Sequence, residues 1–321
     1  MSCPKVTIGI TAFNAANTIE TAVHSALSQT WRPTEIIAID DRSTDDTANI
    51  LTRLSTGRPE MRVFFNRHNE GVAVARNRIL DKANGEFVAF FDDDDYSLPE
   101  RIDRQVNRIL TYERNFANGA PVICHTAREV CYPEGTRRLD PTKGQQTNRC
   151  APNGLAVAER VLLGKPLKDG YGACATCSQM ARLATYRAVG GLDPAFRRSE
   201  DSEFVIHLAK VGGHFVGITK ALVIQNMTNT RDNSLGDERR YLLMMLEKHR
   251  DIPDKYGLYG FCRRWIGFKQ AWLEGRLVDS VTALLNLTVK HPLPAVRRLL
   301  IALPHFGQNR AYSRFHSGIK G

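Results

Sequence analysis

Four consecutive aspartates, Asp92–Asp95, follow a short apolar segment that spans Glu86–Phe91. The aromatic and branched side chains of that segment favour a buried strand, and the turn signal Asn84-Gly85 precedes it. Because four adjacent carboxylates with no cation among them repel one another, a fold that places them at a strand end is expected to supply a divalent cation. Oxygen ligands favour Mg²⁺, Mn²⁺ or Ca²⁺ over zinc. The alternative interpretation is a solvated acidic turn at the start of a helix.

Strand-like and helix-like segments alternate along the first hundred residues or so. The predicted strands are Lys5–Ala12, Glu35–Ile39, Met61–Phe65 and Glu86–Phe91, and helical spacing begins at Thr18, at Ala48 and at residue 72. This alternation predicts a parallel, doubly wound α/β sheet. Since ligands bind beyond the carboxyl ends of the strands in such sheets, we expect Thr11–Asn14, Asp40-Asp41 and Asp92–Asp95 to lie on one rim.

Five motifs occur in an order that resembles the family 2 glycosyltransferases. They are Ile10–Asn14, Asp40–Thr47, Asn69-Glu70-Gly71 with Ala75-Arg76-Asn77, Asp92–Asp95, and Gly190–Phe196 followed by Ser199-Glu200-Asp201. The resemblance covers about residues 5–225. It implies a GT-A nucleotide-diphospho-sugar transferase fold, which is an α/β, Rossmann-like and mostly parallel sheet. We divide the chain into a catalytic domain over 1–236 and a basic helical C-terminal extension over 237–321. The catalytic domain consists of a donor-binding half (about 1–115) and an acceptor-binding half (about 116–236).

The same resemblance implies which residues bind the nucleotide-sugar donor. Carried over residue by residue, they are Thr11, Ala12, Phe13, Asn14, Asp40, Asp41, Asn69, Gly71, Arg76, Asp92 and Asp93. A carboxylate at Asp41, with Asp40 beside it, can accept the imide N–H of uracil or thymine, which cytosine lacks. Of the two, a UDP-sugar is the expected donor. The open alternatives are helix capping for Asp40-Asp41, turn chemistry for Thr11 and an exposed helix arginine for Arg76.

The metal is expected on the acidic run, as Mn²⁺ or Mg²⁺. By resemblance Asp94 is the direct ligand in a DXD motif, and Asp92 contacts the ribose or the metal shell. The family usually has a small residue where this chain has Asp93. A bound cation there would stabilise the charge that develops on the departing diphosphate.

The general base is expected at Asp201, with Glu200 beside it. Both carboxylates precede an apolar-periodic segment, so they are predicted to lie in the first turn of a helix. The helix dipole keeps a carboxylate there ionised, so a base that works near neutral pH needs partial burial or the charge of Glu200 to raise its pKa. The alternative is an acidic pair that only stabilises the helix.

The C-terminal extension is strongly basic. Residues 237–321 hold 15 Lys and Arg against 7 Asp and Glu. Apolar stripes over 277–288 and 296–303 predict two amphipathic helices that either contact an anionic membrane surface, through 277–304, or pack on the catalytic domain or another subunit. No apolar run is long enough to cross a membrane and no signal peptide begins the chain. We therefore expect a cytoplasmic protein or one peripheral on the cytoplasmic face of the membrane.

Seven scattered cysteines argue against a disulfide framework. Cys174 and Cys177 form a lone CxxC pair, which we interpret as two reduced cysteines in a strand.

The favoured function is an inverting, metal-dependent glycosyltransferase of polysaccharide biosynthesis that uses a nucleotide-diphosphate sugar and a glycan or lipid-linked acceptor. A sugar nucleotidyltransferase shares the acidic α/β rim, but it opens with a glycine-rich loop after the first strand, and Thr11–Asn14 is not such a loop. A non-catalytic nucleic-acid- or membrane-binding protein would leave the acidic rim without a role, and no nucleic-acid partner is expected.

Overall fold

The computed structural model describes residues 3–227 and 235–302. Within these residues, 3–154 together with 168–227 form one compact unit, called here the sheet unit. Residues 155–167 together with 235–302 form a second, the helical unit. The division of the chain at residue 236 stays a prediction.

Residues 6–92 of the sheet unit form a parallel sheet of four strands with helices between them. These elements are β1 (Val6–Ala12), α1 (Ile19–Leu27), β2 (Thr34–Asp40), α2 (Thr47–Ser55), β3 (Met61–Phe65), α3 (Val72–Lys82) and β4 (Phe87–Asp92). The strand order is β3-β2-β1-β4, with every pair parallel. Because the order reverses direction at β1, the crossovers lie on both faces, and the predicted α/β fold class is confirmed.

Beyond β4 the sheet becomes mixed. The remaining elements of the sheet unit are β5 (Tyr96–Ser97), α4 (Arg101–Tyr112), β6 (Val122–Cys131), β7 (Arg137–Asp140), β8 (Gln179–Arg182), α6 (Leu183–Ala188), α7 (Glu200–Lys210) and β9 (His214–Asn226). β8 runs antiparallel to both β4 and β6, whereas β6 and β9 are parallel. β5 and β7 are antiparallel additions to β9 and β6. This second half carries α7 and the end of β9, which supply further residues to the site.

The two central strands, β1 and β4, are mostly apolar because both of their faces are covered. All seven residues of β1 are buried, as are Phe87–Phe91 of β4. Such continuous burial is the usual state of parallel strands between two helical layers. Cys174 and Cys177 are free thiols, but the strand predicted for them was wrong. Cys174 lies in a loop, and Cys177 lies in the 3₁₀ turn Thr176–Ser178 that precedes β8. The polar link from β7 to β8 allows a turn where the spacing suggested a strand.

The helical unit consists of α5 (Leu155–Leu163), α8 (Leu235–Lys248), α9 (Asp251–Asp254), α10 (Tyr259–Leu273), α11 (Leu277–Lys290) and α12 (Pro292–Ala302). Among the described residues, no helix has the length and apolar character that crossing a membrane requires. On α11 and α12 the buried side chains include Ser280, Leu287 and Ala295. The exposed ones include Leu285 and Val289, at 62% and 81% exposure.

Candidate active site

The carboxyl ends of β1, β2 and β4 meet at one rim of the sheet. Thr11 lies opposite Asp92 across the β1–β4 pairing, and Ala12 lies opposite Asp40 across the β1–β2 pairing. Thr11 and Ala12 are buried, whereas the ring of Phe13 is 42% exposed. The register therefore brings residues from three separate motifs together, and it leaves an aromatic ring accessible at the rim.

A buried arginine joins the rim to the helix that carries the candidate base. Arg76 of α3 donates from Nη2 to Asp92 Oδ1 at 2.8 Å and from Nη1 to Glu200 Oε1 at 2.5 Å. Burial acts to lower the pKa of Arg76, but the charges of Asp92 and Glu200 outweigh it and raise the pKa above its usual value. The contact unites residues 124 positions apart. The fold thus supplies one cation of its own to the acidic run, in addition to any bound metal.

Hydrogen bonds from two distant segments fix the acidic turn Asp92–Asp95. The N–H of Phe13 donates to Asp93 Oδ2 at 2.9 Å. Asn226, at the end of β9, donates its N–H to Asp95 Oδ1 at 3.1 Å and its side-chain amide to the carbonyl of Asp94 at 2.7 Å. The turn is therefore held between the loop after β1 and the end of β9.

Crowding raises the pKa values of two carboxyl groups in this turn. Burial, and then the charge of Asp94, raises the pKa of Asp93 to about 8. Burial, followed by the charges of Asp92 and Asp94, holds the pKa of Asp95 well above its usual value. Asp95 Oδ2 is buried and accepts no hydrogen bond from the described residues. A cation placed against the turn would relieve both the repulsion and this unsatisfied oxygen.

The donor set of the turn fits a hard divalent cation. Ligand atoms of Asp92, Asp95 and Cys177 lie within 4.8 Å of one another. Burial, and then the charge of Asp95, raises the pKa of the Cys177 thiol well above its usual value, and sulfur is a poor ligand for hard cations. The carboxylates are the groups suited to Mg²⁺ or Mn²⁺. Asp94 is not part of this geometric group, and its role as the direct ligand stays a prediction.

The loop after β1 is locked to the loop after β2. Asn14 has a positive φ of 52°, and its N–H donates to Ser43 Oγ at 2.9 Å. The side chain of Asn14 accepts the N–H of Thr44 at 2.8 Å. This exchange fixes the backbone that places Phe13 at the rim.

Asp40 and Asp41 have different environments although both are buried. Asp41 accepts the N–H groups of Glu70 and Gly71 at 3.0 and 2.7 Å, and the side-chain amide of Asn66 at 2.7 Å. Asp40 accepts the N–H of Ser43 through Oδ2, while its buried Oδ1 has no partner among the described residues. Asp41 therefore positions the loop that contains Gly71, and Asp40 keeps an unused acceptor.

Arg197 clamps the same loop from the other side, and the sequence motifs did not single it out. It donates to Asn69 Oδ1 at 3.1 Å and to the Asn69 carbonyl at 3.0 Å. Gly71 has a φ of 93°, and a Cβ there would approach Arg197 Cγ to 3.2 Å. The only sequence signal for Arg197 is its position directly after Phe196 of the last motif.

The two acidic residues at the start of α7 lie as predicted in its first turn, after Ser199 with a positive φ of 58°. Glu200 faces Arg76. Burial is the main effect that raises the pKa of Glu200; the charge of Arg76 lowers it and the charge of Asp201 raises it, and the net shift is upward. Asp201 is half-buried and accepts the N–H of Ser202 at 2.6 Å. Glu200 is thus committed to the ion pair, and Asp201 is the more accessible carboxylate.

A second buried arginine lies behind the acidic turn, and no sequence pattern marked it. Arg101 of α4 donates to the Phe90 carbonyl at 2.9 Å and to Ser97 Oγ at 2.8 Å, and it stacks on the Phe91 ring with 4.3 Å to the centroid. Burial lowers the pKa of Arg101 to about 10, although the charges of Asp92 and Asp95 act to raise it. An arginine in an amphipathic helix is normally exposed, which is why its role could not be read from spacing.

Comparison with known proteins agrees with this geometry. The family model "Glycosyl transferase family 2" matches residues 7–164. A UDP-Glc:alpha-D-GlcNAc-diphosphoundecaprenol beta-1,3-glucosyltransferase of Escherichia coli, WfaP, is 42% identical over 33% of this chain and 41% of its own length. The putative teichuronic acid biosynthesis glycosyltransferase TuaG of Bacillus subtilis is 38% identical over 33% of this chain and 42% of its own length.

A solved structure supports the fold over a longer range. S. aureus TarS 1-349 in complex with UDP-GlcNAc superposes with a TM-score of 0.59 at 18% identity, covering 88% of this chain and 80% of that one. Residues 7–164 thus form a glycosyltransferase family 2 domain, and the chain has the GT-A type of fold. It spans half or less of the length of the curated relatives that it matches.

The raised pKa of Asp93 predicts a pH-dependent stability in metal-free protein. Asp93 is protonated in the folded state up to about pH 8 but ionises near pH 3.8 when the chain is unfolded. Its contribution to the free energy of unfolding is therefore full below about pH 4 and is lost as the pH rises towards 8. Asp93→Asn keeps an acceptor for Phe13 and is expected to raise the melting temperature more at about pH 8 than at about pH 5. Thermal melts with a chelator test this, with Asp81→Asn on the exposed face of α3 as the control. If Asp93→Asn and Asp81→Asn change the melting temperature by the same amount at both pH values, the prediction is wrong.

Proposed function

We propose that the chain is an inverting, metal-dependent glycosyltransferase that moves a sugar from a UDP-sugar to a hydroxyl of a glycan or lipid-linked acceptor. The observation that carries the proposal is the Arg76 bridge, because it joins the acidic turn at Asp92 to the helix that begins at Glu200. A donor-side acidic rim beside an acceptor-side carboxylate is what such a transfer requires. The family match and the names of the relatives support the same class of reaction.

The nucleotide would bind at the carboxyl ends of β1 and β2. The Phe13 ring offers an apolar surface for a base, and Asp40 Oδ1 offers an unused acceptor for an imide N–H. Asp41 would act on the nucleotide either directly, as the family resemblance implies, or through the loop that it holds at Gly71. Binding of UDP-GlcNAc by TarS supports a uridine donor by analogy of fold.

The acidic turn would hold a divalent cation, with Asp94 and Asp92 as the proposed ligands. Such a cation neutralises the diphosphate and stabilises the charge of the leaving group when it is bound. The chain's own contribution is to fix the turn through Phe13 and Asn226. Asp93 then serves as a support for the nucleotide loop rather than as a ligand.

Asp201 would take the proton of the acceptor hydroxyl. As the acceptor oxygen forms its bond to the anomeric carbon, the bond from that carbon to the diphosphate oxygen breaks on the opposite face, which inverts the configuration. The hydroxyl proton passes to the Asp201 carboxylate, and Glu200 stays paired with Arg76. Arg76 would thereby keep the base helix at a fixed distance from the donor rim.

The lipid-linked alternative for the acceptor rests on the relatives, one of which is named for a diphosphoundecaprenol substrate. Peripheral contact of 277–304 with an anionic membrane stays a prediction, and residues 303–304 lie outside the described residues. The exposed apolar side chains of α11 and α12 support that contact.

Replacing Asp201 by Asn is expected to lower the turnover number by about 10²- to 10⁴-fold while UDP binding is kept, because only the proton acceptor is lost. Asp94→Ala is expected to lose both transfer and metal-assisted UDP binding. A transfer assay and calorimetry measure the two effects, with Asp81→Ala as the control. Normal turnover in either variant would show that its assigned role is wrong.

Replacing Leu285 and Val289 by Ser is expected to reduce flotation of the full chain with anionic liposomes, because both side chains are more than half exposed. Circular dichroism checks that the variant is folded. Equal flotation of the variant and the parent chain would contradict the membrane contact.

A further inference from the structure

The helical unit contains an open cavity of about 620 Å³ that the proposed transfer reaction does not use. Its walls come from α8, α10 and α11, and three arginines line it, Arg239, Arg263 and Arg264. All three are exposed, and none of them forms an ion pair with a carboxylate of the described residues. The cavity therefore presents several guanidinium groups whose charge the surrounding chain does not balance by direct contact.

The carboxylates close to these helices are committed to other cations. The ion pairs are Glu238 with Lys269, Glu247 with Arg250, and Glu274 with Arg276. Hydrogen bonding from Arg276 is the main cause that lowers the pKa of Glu274, and Arg239 adds to it from a greater distance. Arg239 thus lies within electrostatic reach of Glu274, but Arg276 occupies that carboxylate at 2.7 Å.

The start of α10 departs from the usual charge pattern of helices. Its N-cap residue, Leu258, provides no side-chain hydrogen bond, and its first turn contains no acidic residue. Tyr259 and Gly260 of that turn line the cavity, and Arg263 and Arg264 follow directly. A helix N-terminus favours anions. Glu247 already accepts a hydrogen bond from the Tyr259 hydroxyl here, and Arg263 and Arg264, one turn further along, add positive charge to the same wall of the cavity.

We propose that this cavity binds a phosphate-ester group. Guanidinium forks from two helices and the free N–H groups of the first turn of α10 are the donors that recognise phosphate oxygens. A Cβ at Gly267 would meet no atom within 4 Å, so the wall is open on that side. The volume exceeds that of a lone phosphate and suits a larger head group between the rings of Tyr259 and Phe268.

Two sources carry this chemistry, a phospholipid head group at a membrane surface and a soluble phosphate ester. The test uses the full chain with two probes. The first is phosphatidylcholine vesicles with or without phosphatidic acid, and binding is measured by sedimentation. The second is pyrophosphate, and binding is measured by calorimetry. Arg263→Gln with Arg264→Gln is the main variant, and Arg239→Gln removes a cation on a different helix. Arg114→Gln with Arg187→Gln removes the same charge from exposed positions of the sheet unit.

The main variant is expected to weaken binding of at least one probe by about tenfold or more, because each arginine near an anionic head group contributes on the order of a fivefold change. Arg239→Gln is expected to weaken it in the same direction, and the sheet-unit control is expected to bind like the parent chain. Loss with vesicles identifies a lipid head group, whereas loss with pyrophosphate alone identifies a soluble ester. If the parent chain binds neither probe, the proposal is wrong. It is also wrong if the sheet-unit control loses as much binding as the main variant does. Neither assay depends on sugar transfer, so the result is independent of the proposed function.

Discussion

The two ion pairs of Arg76 are the contact on which the arrangement of the candidate site depends. A fully buried guanidinium is costly unless carboxylates surround it, and here Asp92 and Glu200 provide them from opposite halves of the sheet unit. Replacing Arg76 would instead leave Asp92 and Glu200 without the cation that they share. These two ion pairs therefore hold the acidic turn against the start of α7, where Asp201 directly follows Glu200.

The remaining charges of the rim follow from the same requirement. Burial disfavours the ionised forms of Asp93 and Asp95, and the turn tolerates them because N–H groups of Phe13 and Asn226 donate to them. Arg101 adds a second cation behind the strand. Two buried carboxylate oxygens of the rim, Asp40 Oδ1 and Asp95 Oδ2, have no hydrogen-bond partner among the described residues, and the one in the acidic turn is the kind of atom that a bound divalent cation would satisfy.

The sequence was sufficient for β1 to β4 and for the rim. Periodicity located these strands because they are short, mostly apolar runs between helix-like segments, and parallel pairing then required Thr11, Asp40 and Asp92 to share one edge. The contacts of Asn226 and Arg197 could not be foreseen, since each depends on the pairing of β9 or on the path of a loop far away in the sequence. The CxxC segment misled the prediction because a short polar link with two small thiols fits a turn as well as a strand.

The central claim is that the rim binds a uridine nucleotide with the help of a divalent cation. The most direct test is the melting temperature of the full chain with UDP or CDP, each with Mn²⁺ or with a chelator. A ligand that binds the folded state stabilises it, and at a fixed concentration the stabilisation increases with affinity. The account predicts a clear rise with UDP and Mn²⁺, a smaller rise with CDP because cytosine lacks the imide N–H, and little rise with the chelator. Equal stabilisation by UDP and CDP, or a rise with UDP that the chelator leaves unchanged, would contradict it.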